Sequence, residues 1–336
     1  MKVLFVDHPE GDILAGQLFM GLCQELGDSS VVDWPYKPSY HGLVHRYPNP
    51  YADPAHNPAL EGAEGVTAPF TWMPACSGGR EWAEDEVAGA IDTFDLVVLA
   101  SPRKYNDRAL TDLVQRTGRH AIRRLVMVDG EDHEVVSVDH IRRFQPSVYF
   151  KRELLQDAPR EVAGCRIEPL PFASPWTRLP SPRPPASVPR EVDVAFMGGL
   201  SYPGGKPPIE AAARRVTGNV CTRRGDFTEY ADSLSRAKIA VATRGYGYDT
   251  QRICDIAVCE GTLLALERQP VVRPNWFEDG VHCLLFDSPE DLERKLREYL
   301  QDEERRQRVA AAGYALAITH HTCQARARQF LQEALR

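Results

Sequence analysis

The stretch from Tyr230 to Asp287, YADSLSRAKIAVATRGYGYDTQRICDIAVCEGTLLALERQPVVRPNWFEDGVHCLLFD, decides the reading of the fold. Within it KIAVAT (238–243) is a short run of apolar, small and β-branched residues, the pattern of a buried strand. RGYGYDTQR (244–252) follows at once. Gly245 and Gly247 permit a sharp turn and a close approach of backbone to a ligand. Asp249 or Thr250 is placed to cap a helix expected over about 251–258. Two short apolar strands follow, the second ending in Asp287. A strand, a glycine turn and a helix start together present backbone N–H groups and the positive end of a helix dipole, which suits phosphate. Arg244 and Arg252 flank the turn, and arginine grips phosphate through two parallel hydrogen bonds. The competing reading is a turn that merely needs positive φ, with both arginines in solvent.

The surrounding sequence repeats this alternation. DVAFMGG (193–199) reads as a strand, and helices near 207–217 and 227–236 bracket the short strand VCTR (220–223). Gly198, Gly199, Gly204, Gly205 and Lys206 follow the first of these strands, a composition able to cradle a diphosphate. GxxxxGK[ST] is absent, so this is no Walker loop, and a mobile turn is the alternative. Asp255 and Glu260 lie on or just after the helix that begins near Gln251. There a carboxylate can accept from ribose hydroxyls, or simply favour the helix dipole. Residues 288–320 are helical, opened by a Ser-x-x-Asp cap signal at 288–291, and a last amphipathic helix spans about Thr322 to Leu335.

The N-terminal half opens with KVLFVD (2–7), a helix over about 13–26 and SVVDW (30–34), a β-α-β start that implies a parallel sheet. Residues 35–80 hold neither period and carry many prolines, histidines and aromatics, the mark of a long irregular insertion. Order resumes with a helix near 81–91, the strand FDLVVLAS (94–101), a helix over about 109–119 and RLVMVDGEDHE (124–134). In open parallel sheets ligands sit at the carboxyl ends of strands. The loops after Asp7, Ser101 and Asp129 therefore belong to one edge. They carry Asp7, His8, Glu10 and Asp12, then Asp129, Glu131, Asp132 and His133. Any of these can take a proton from an incoming hydroxyl, although polar residues also populate loops without such a role. PFASPWTRLPSPRPPASVPREVD (171–193) is dense in proline and reads as an interdomain linker. The domains expected are 1–172, a linker over 173–190, 191–320, and a terminal helix over 321–336.

With 336 residues the chain is long enough for two ordinary domains. Its net charge of −7 argues against a general nucleic-acid binder, whose footprint would be basic. The eight cysteines form no CxxC pair, and several sit in apolar runs, which fits reduced thiols and a cytoplasmic location. No cysteine or histidine spacing matches a zinc site. MKVLFVDHPEGD turns polar too soon for a signal peptide, and no apolar run reaches the length of a membrane span.

Tyr230…Leu234…Lys238, RGYGYDTQR, Arg252 with an acid at 255, Gly261, FEDGVHCLLFDSPEDLERKL and the tail GYALAITHHTCQARARQFL together resemble the C-terminal domain of group 1 glycosyltransferases, most closely the bacterial spore-maturation CgeB-like branch. VDWPYKPSYHG, the DGEDH loop and VYFKREL look like the N-terminal half of the same proteins. The resemblance implies a GT-B architecture: two Rossmann-like α/β domains with parallel sheets facing a cleft. A nucleotide-diphosphate sugar would be held by the second domain and an unidentified acceptor by the first. It implies that Arg244, Gly245, Gly247 and Arg252 contact the diphosphate, that Gly198 and Lys206 lie beside it, and that Asp255 takes the ribose-binding position. The family usually has glutamate there, and the shorter aspartate opens the possibility of altered donor binding. The final helix would cross back onto the first domain. Cationic side chains can stabilise a leaving diphosphate without a metal, and no tightly bound cofactor is implied. An inverting enzyme would draw its base from His8, Asp12, Asp132 or His133, whereas a retaining one needs none. A GT-B fold without turnover, serving as a scaffold, is the second reading. A nicotinamide-dependent oxidoreductase is disfavoured, because no GxGxxG follows the first strand.

Overall fold

The computed structural model describes residues 1–7, 12–41, 80–100, 108–175, 189–197, 206–222 and 227–336. Most of the insertion expected over 35–80 and of the linker expected over 173–190 lies outside these residues. The chain forms two compact units, Met1–Pro171 with Cys323–Arg336, and Phe172–Thr322.

In the first unit the chain runs β1 (Val3–Val6), α1 (Ile13–Leu26), β2 (Val31–Trp34), α2 (Glu84–Ala90), β3 (Leu96–Ala100), α3 (Arg108–Thr117), β4 (Leu125–Asp129), α4 (Val138–Phe144), β5 (Val148–Lys151), β6 (Glu161–Val162) and β7 (Cys165–Pro169). The strands form one sheet in the order β2-β1-β3-β4-β5-β7-β6, parallel except for the β6–β7 pair. β1, β3, β4 and β5 are buried along their whole length, as befits strands covered on both faces. α4 and the β6–β7 hairpin are not foreseen by periodicity, because each is too short to display a full repeat.

The second unit runs β8 (Val192–Ala195), α5 (Lys206–Val216), β9 (Val220–Cys221), α6 (Phe227–Ser235), β10 (Ala237–Ala242), α7 (Gln251–Ala257), β11 (Leu263–Glu267), β12 (Leu284–Phe286), α8 (Pro289–Gln301) and α9 (Glu303–His320). Its sheet has the order β12-β11-β10-β8-β9 and is parallel throughout. The helical stretch expected over 288–320 is two helices. Ser288 caps the first through Asp291 N at 3.1 Å, and Asp302 caps the second through Arg305 N at 2.9 Å.

α10 (Cys323–Leu335) belongs to the first unit, where it packs along α1. The approach is close enough that a Cβ on Gly21 would run into the Cys323 carbonyl oxygen, so α1 needs glycine there. Phe330 of α10 meets Phe150 of β5 with ring centroids 4.6 Å apart. Seven cysteines fall among the described residues, all free and all but Cys221 buried. Among the described residues no helix is long and apolar enough to cross a membrane.

Candidate functional site

Within each unit the first strand has neighbours on both sides, one leading to the second strand and the other to the third. The strand order thus reverses between β1 and β3 in the first unit, and between β8 and β10 in the second. Helices leave a parallel sheet on opposite faces at such a point, and a crevice opens at the carboxyl ends of the two strands. β10 therefore delivers Thr243 and the glycine turn straight into the crevice of the second unit.

The turn differs from its expected form in three respects. Neither Gly245 nor Gly247 is among the glycines with left-handed φ, so positive φ is not what selects glycine here. The Gly245 N–H donates to Gly247 O at 2.8 Å, and the Arg244 N–H donates to Glu267 Oε2 at 2.8 Å. An anion, the Glu267 carboxylate from the end of β11, thus already sits on one amide of the turn. Finally, Thr250 occupies the N-cap position of α7 without a side-chain capping bond. Asp249, the residue before it, is buried and holds partners away from the helix start. Its Oδ2 accepts from Phe172 N at 2.7 Å and its Oδ1 from Arg273 Nε at 2.9 Å. Arg273 is itself buried, bonds Tyr248 O and lies over the Trp276 ring at 4.3 Å. The pair clamps the turn to the chain after β11.

The two arginines of the turn have different surroundings. Arg244 is exposed, with its guanidinium 4.8 Å from the Tyr248 ring centroid. Arg252 is partly buried, and its Nη1 is a buried atom with no hydrogen-bond partner among the described residues. The Oγ1 atoms of Thr243 and Thr250 are in the same condition, and Thr243 is only 2% exposed. Leaving a buried polar atom unpaired costs about 1–3 kcal/mol. Three such atoms on the ten residues from Thr243 to Arg252 form a set of hydrogen-bonding groups awaiting a partner.

Asp255 is 2% exposed. Its Oδ1 accepts from Gln251 Nε2 at 3.0 Å and its Oδ2 from the Tyr230 hydroxyl at 3.3 Å. Burial, then the Asp255 charge, hold the Tyr230 phenol well above its ordinary range, so it stays protonated and donates, while nearby Arg252 pulls the other way. Tyr230, Arg252 and Asp255 thus form one cluster, joined by Gln251. Glu260 is tied through its carbonyl to Arg190. Lys206 is the first residue of α5, and Gly198 lies outside the described residues.

In the first unit His8 also lies outside the described residues. Asp12 is the N-cap of α1, its Oδ1 accepting from Ala15 N at 2.8 Å. Asp132 is exposed and bonded to Arg152, and His133 is partly buried. The acids at the strand ends are not solvated loop residues. Asp7 is buried against Lys37 Nζ at 2.6 Å and the Tyr40 hydroxyl. Burial, then Asp7, hold that phenol well above its ordinary range. Asp129 is buried against Lys151 Nζ at 2.9 Å and the Tyr149 hydroxyl. His41 Nε2 lies 2.9 Å from Asp33 Oδ1 and its ring stacks on Tyr36. Among the described residues no group of three or more histidines, cysteines and acids is placed to hold a metal ion.

Thr243 and Arg152 are not legible as site residues in the sequence, while Thr250 is legible only as a cap and Tyr230 only through the family resemblance. The first had one usable signal, its place as the residue next after a buried strand. Arg152 had only its place in VYFKREL, since its partners Gly130 and Asp132 lie about twenty residues away in the chain.

Residues 206–332 match a family model described as "Glycosyl transferase-like". No curated protein matches the chain. Among solved structures, HepE from Anabaena in complex with UDP is 12% identical, with 99% of each chain covered and a TM-score of 0.57. A glycosyltransferase from Rickettsia africae is 8% identical, covers 100% of this chain and 98% of its own, and gives a TM-score of 0.59. Sucrose-phosphate synthase from Thermosynechococcus elongatus is 10% identical over 99% and 98% of the two chains, with a TM-score of 0.51. In fold the chain is therefore α/β with two parallel sheets, like the GT-B glycosyltransferases along its whole length, and over residues 206–332 it is also similar in sequence to the glycosyl transferase-like family.

Proposed function

We propose that the chain is a glycosyltransferase that takes a sugar from a nucleotide-diphosphate sugar and passes it to an acceptor not yet identified. The observation that carries this reading is the set of unpartnered buried polar atoms, Thr243 Oγ1, Thr250 Oγ1 and Arg252 Nη1, at the strand-order reversal of the second unit. Hydroxyls and a guanidinium are the groups that satisfy phosphate oxygens. The stretch lies inside the glycosyl transferase-like match, and HepE, a protein of similar fold, has been crystallised with UDP and with UDP-glucose. In this reading Arg252 and the two threonines hold the diphosphate, with Arg244, Gly245 and Gly247 forming the wall of the turn and Gly198 and Lys206 beside it. The guanidinium groups stabilise the charge on the leaving diphosphate, so no metal is required. Asp12, Asp132, His133 and His8 are the candidate proton acceptors. The CgeB-like branch and a hexosyl donor are the finer form of the reading.

A second reading, a nucleotide-binding scaffold without turnover, is favoured by one observation. Both Asp255 oxygens are engaged by Gln251 and Tyr230, and the side chain is buried, so it is poorly placed for a ribose. Thermal unfolding with UDP, GDP, TDP, ADP and CDP, first in EDTA and then in magnesium, tests both. The transferase reading expects one nucleotide to raise Tm in EDTA, the Arg252→Ala protein to lose that shift, and the matching sugar nucleotide to be turned over. A shift without any turnover supports the scaffold, and a flat screen sinks both.

A further inference from the structure

The end of β5 carries Lys151, Arg152 and Glu153 in succession, all three buried. Buried ion pairs add little net stability, because the desolvation of each charge offsets their attraction. They do fix a geometry, and here it falls on one loop. The Arg152 N–H donates to Asp129 O at 3.0 Å and its Nε to Gly130 O at 2.9 Å, while Nη2 donates to Asp132 Oδ1. The remaining arm, Nη1, pairs with Glu153 Oε1 at 3.0 Å. Lys151 and Tyr149 hold the Asp129 carboxylate from the same strand, and the Glu131 N–H closes onto Asp129 Oδ1 at 3.0 Å. Arg152 is 1% exposed in its side chain whereas Asp132 is 57% exposed, so one buried fork anchors a loop that faces solvent.

That loop is a wall for a second one. A Cβ added to Gly130 would stand 3.0 and 3.1 Å from the two carboxylate oxygens of Asp12, which comes from the connection after β1. The placement of Gly130 therefore sets the room available to Asp12.

We infer that Arg152 is a positioning residue: it holds Gly130–Asp132 in fixed register against Asp12 at the carboxyl ends of β1 and β4, and this register is needed for turnover but not for donor binding. The inference rests on the transferase reading above. Lysine cannot replace the fork, because a single ammonium does not reach Gly130 O, Asp132 and Glu153 in the planar geometry of a guanidinium.

The test uses the full chain as wild type, R152K and the double variant R152M/E153M, which removes both buried charges together and so keeps folding possible without the fork. Amide exchange across residues 129–134 is compared with Tm. UDP release from UDP-glucose, or from the glucose conjugate of whichever nucleotide gives the thermal shift, is measured for kcat and KM. Both variants are expected to exchange Gly130–His133 at least about tenfold faster with β4 still protected, and to lose kcat at least about tenfold with KM within about twofold. Unchanged loop exchange overturns the inference, as does a loosened loop with kcat intact. Full kcat in R152M/E153M also overturns it, because Arg152 would then serve only to balance Glu153. If the wild type turns over no donor, the transferase reading fails by itself, and loop exchange alone decides whether Arg152 positions the loop.

Discussion

The two units share a strand order but finish their strands in opposite ways. In the first, the carboxyl ends of β1, β4 and β5 are closed by buried ion pairs, Asp7 with Lys37, Asp129 with Lys151 and Arg152 with Glu153. In the second, the end of β10 leaves Thr243, Thr250 and Arg252 with buried atoms that find no hydrogen-bond partner among the described residues. The contrast is not a general property of the second sheet. At its amino edge Asp193 of β8 accepts from Lys238 of β10 at 2.7 Å and from Thr217 at 2.7 Å. Among the described residues it is the carboxyl edge, where ligands bind in open parallel sheets, that holds the unpartnered atoms of Thr243, Thr250 and Arg252. A common topology thus carries buried ion pairs at the strand ends of one unit and, among the described residues, two unpartnered hydroxyls and a guanidinium nitrogen at a strand end of the other.

The largest effect expected follows from breaking the closed rim. Lys151→Met leaves the Asp129 carboxylate buried without its cation, which typically costs about 3–5 kcal/mol, read as a lowered denaturation midpoint. A midpoint within error of wild type would mean that the first rim is no more tied down than the second. A smaller and opposite result is expected at the open rim. Thr243→Val removes a hydroxyl that has no partner among the described residues, so stability should stay within about 1 kcal/mol of wild type or rise. Nucleotide affinity by calorimetry should fall about five- to tenfold, because the hydroxyl is lost to the bound phosphate. A stability loss on the scale of Lys151→Met would show that Thr243 is already satisfied, and would erase the contrast.

The smallest effect is at the amino edge. Burial works against the Asp193 charge, but the Lys238 and Thr217 hydrogen bonds outweigh it and hold the carboxyl below its usual value of 3.8. A lowered folded-state pKa gives stability that is present above the unfolded value and is lost as pH falls through the folded one. The wild type should therefore exceed Asp193→Asn by at most about 1 kcal/mol near neutrality, with the gap closing below roughly pH 4. A gap that does not change with pH would show that the ion pair contributes nothing at this rim.

Much of the scaffold was legible in the chain because it is written locally. KVLFVD, FDLVVLAS, RLVMVD and KIAVAT are apolar runs whose length and flanking turns point to buried strands; the structure places β1, β3 and β4 within the first three, and β10 begins one residue before the fourth. The helix expected over about 13–26 is α1, since its apolar period runs unbroken for four turns. The glycine turn was legible as a feature and misread in detail. Asp249 reads as a cap from its local chemistry, but its bond to Arg273, more than twenty residues later and charge-assisted in a buried setting, is not announced by its neighbours. Asp7 and Asp129 likewise read as loop acids, because nothing near them in the chain announces Lys37 or Lys151.

By itself the sequence determined the alternation of strand and helix, the parallel sheets and the place of the glycine turn after β10, all of which depend on residues within a few positions of one another. The tertiary structure decided which polar groups at the strand ends are already satisfied. That outcome depends on partners that folding brings together from distant parts of the chain, Asp7 with Lys37 and Asp129 with Lys151. A carboxylate paired in the core and one awaiting a proton are the same letter in the sequence, and only the burial and the partner distinguish them.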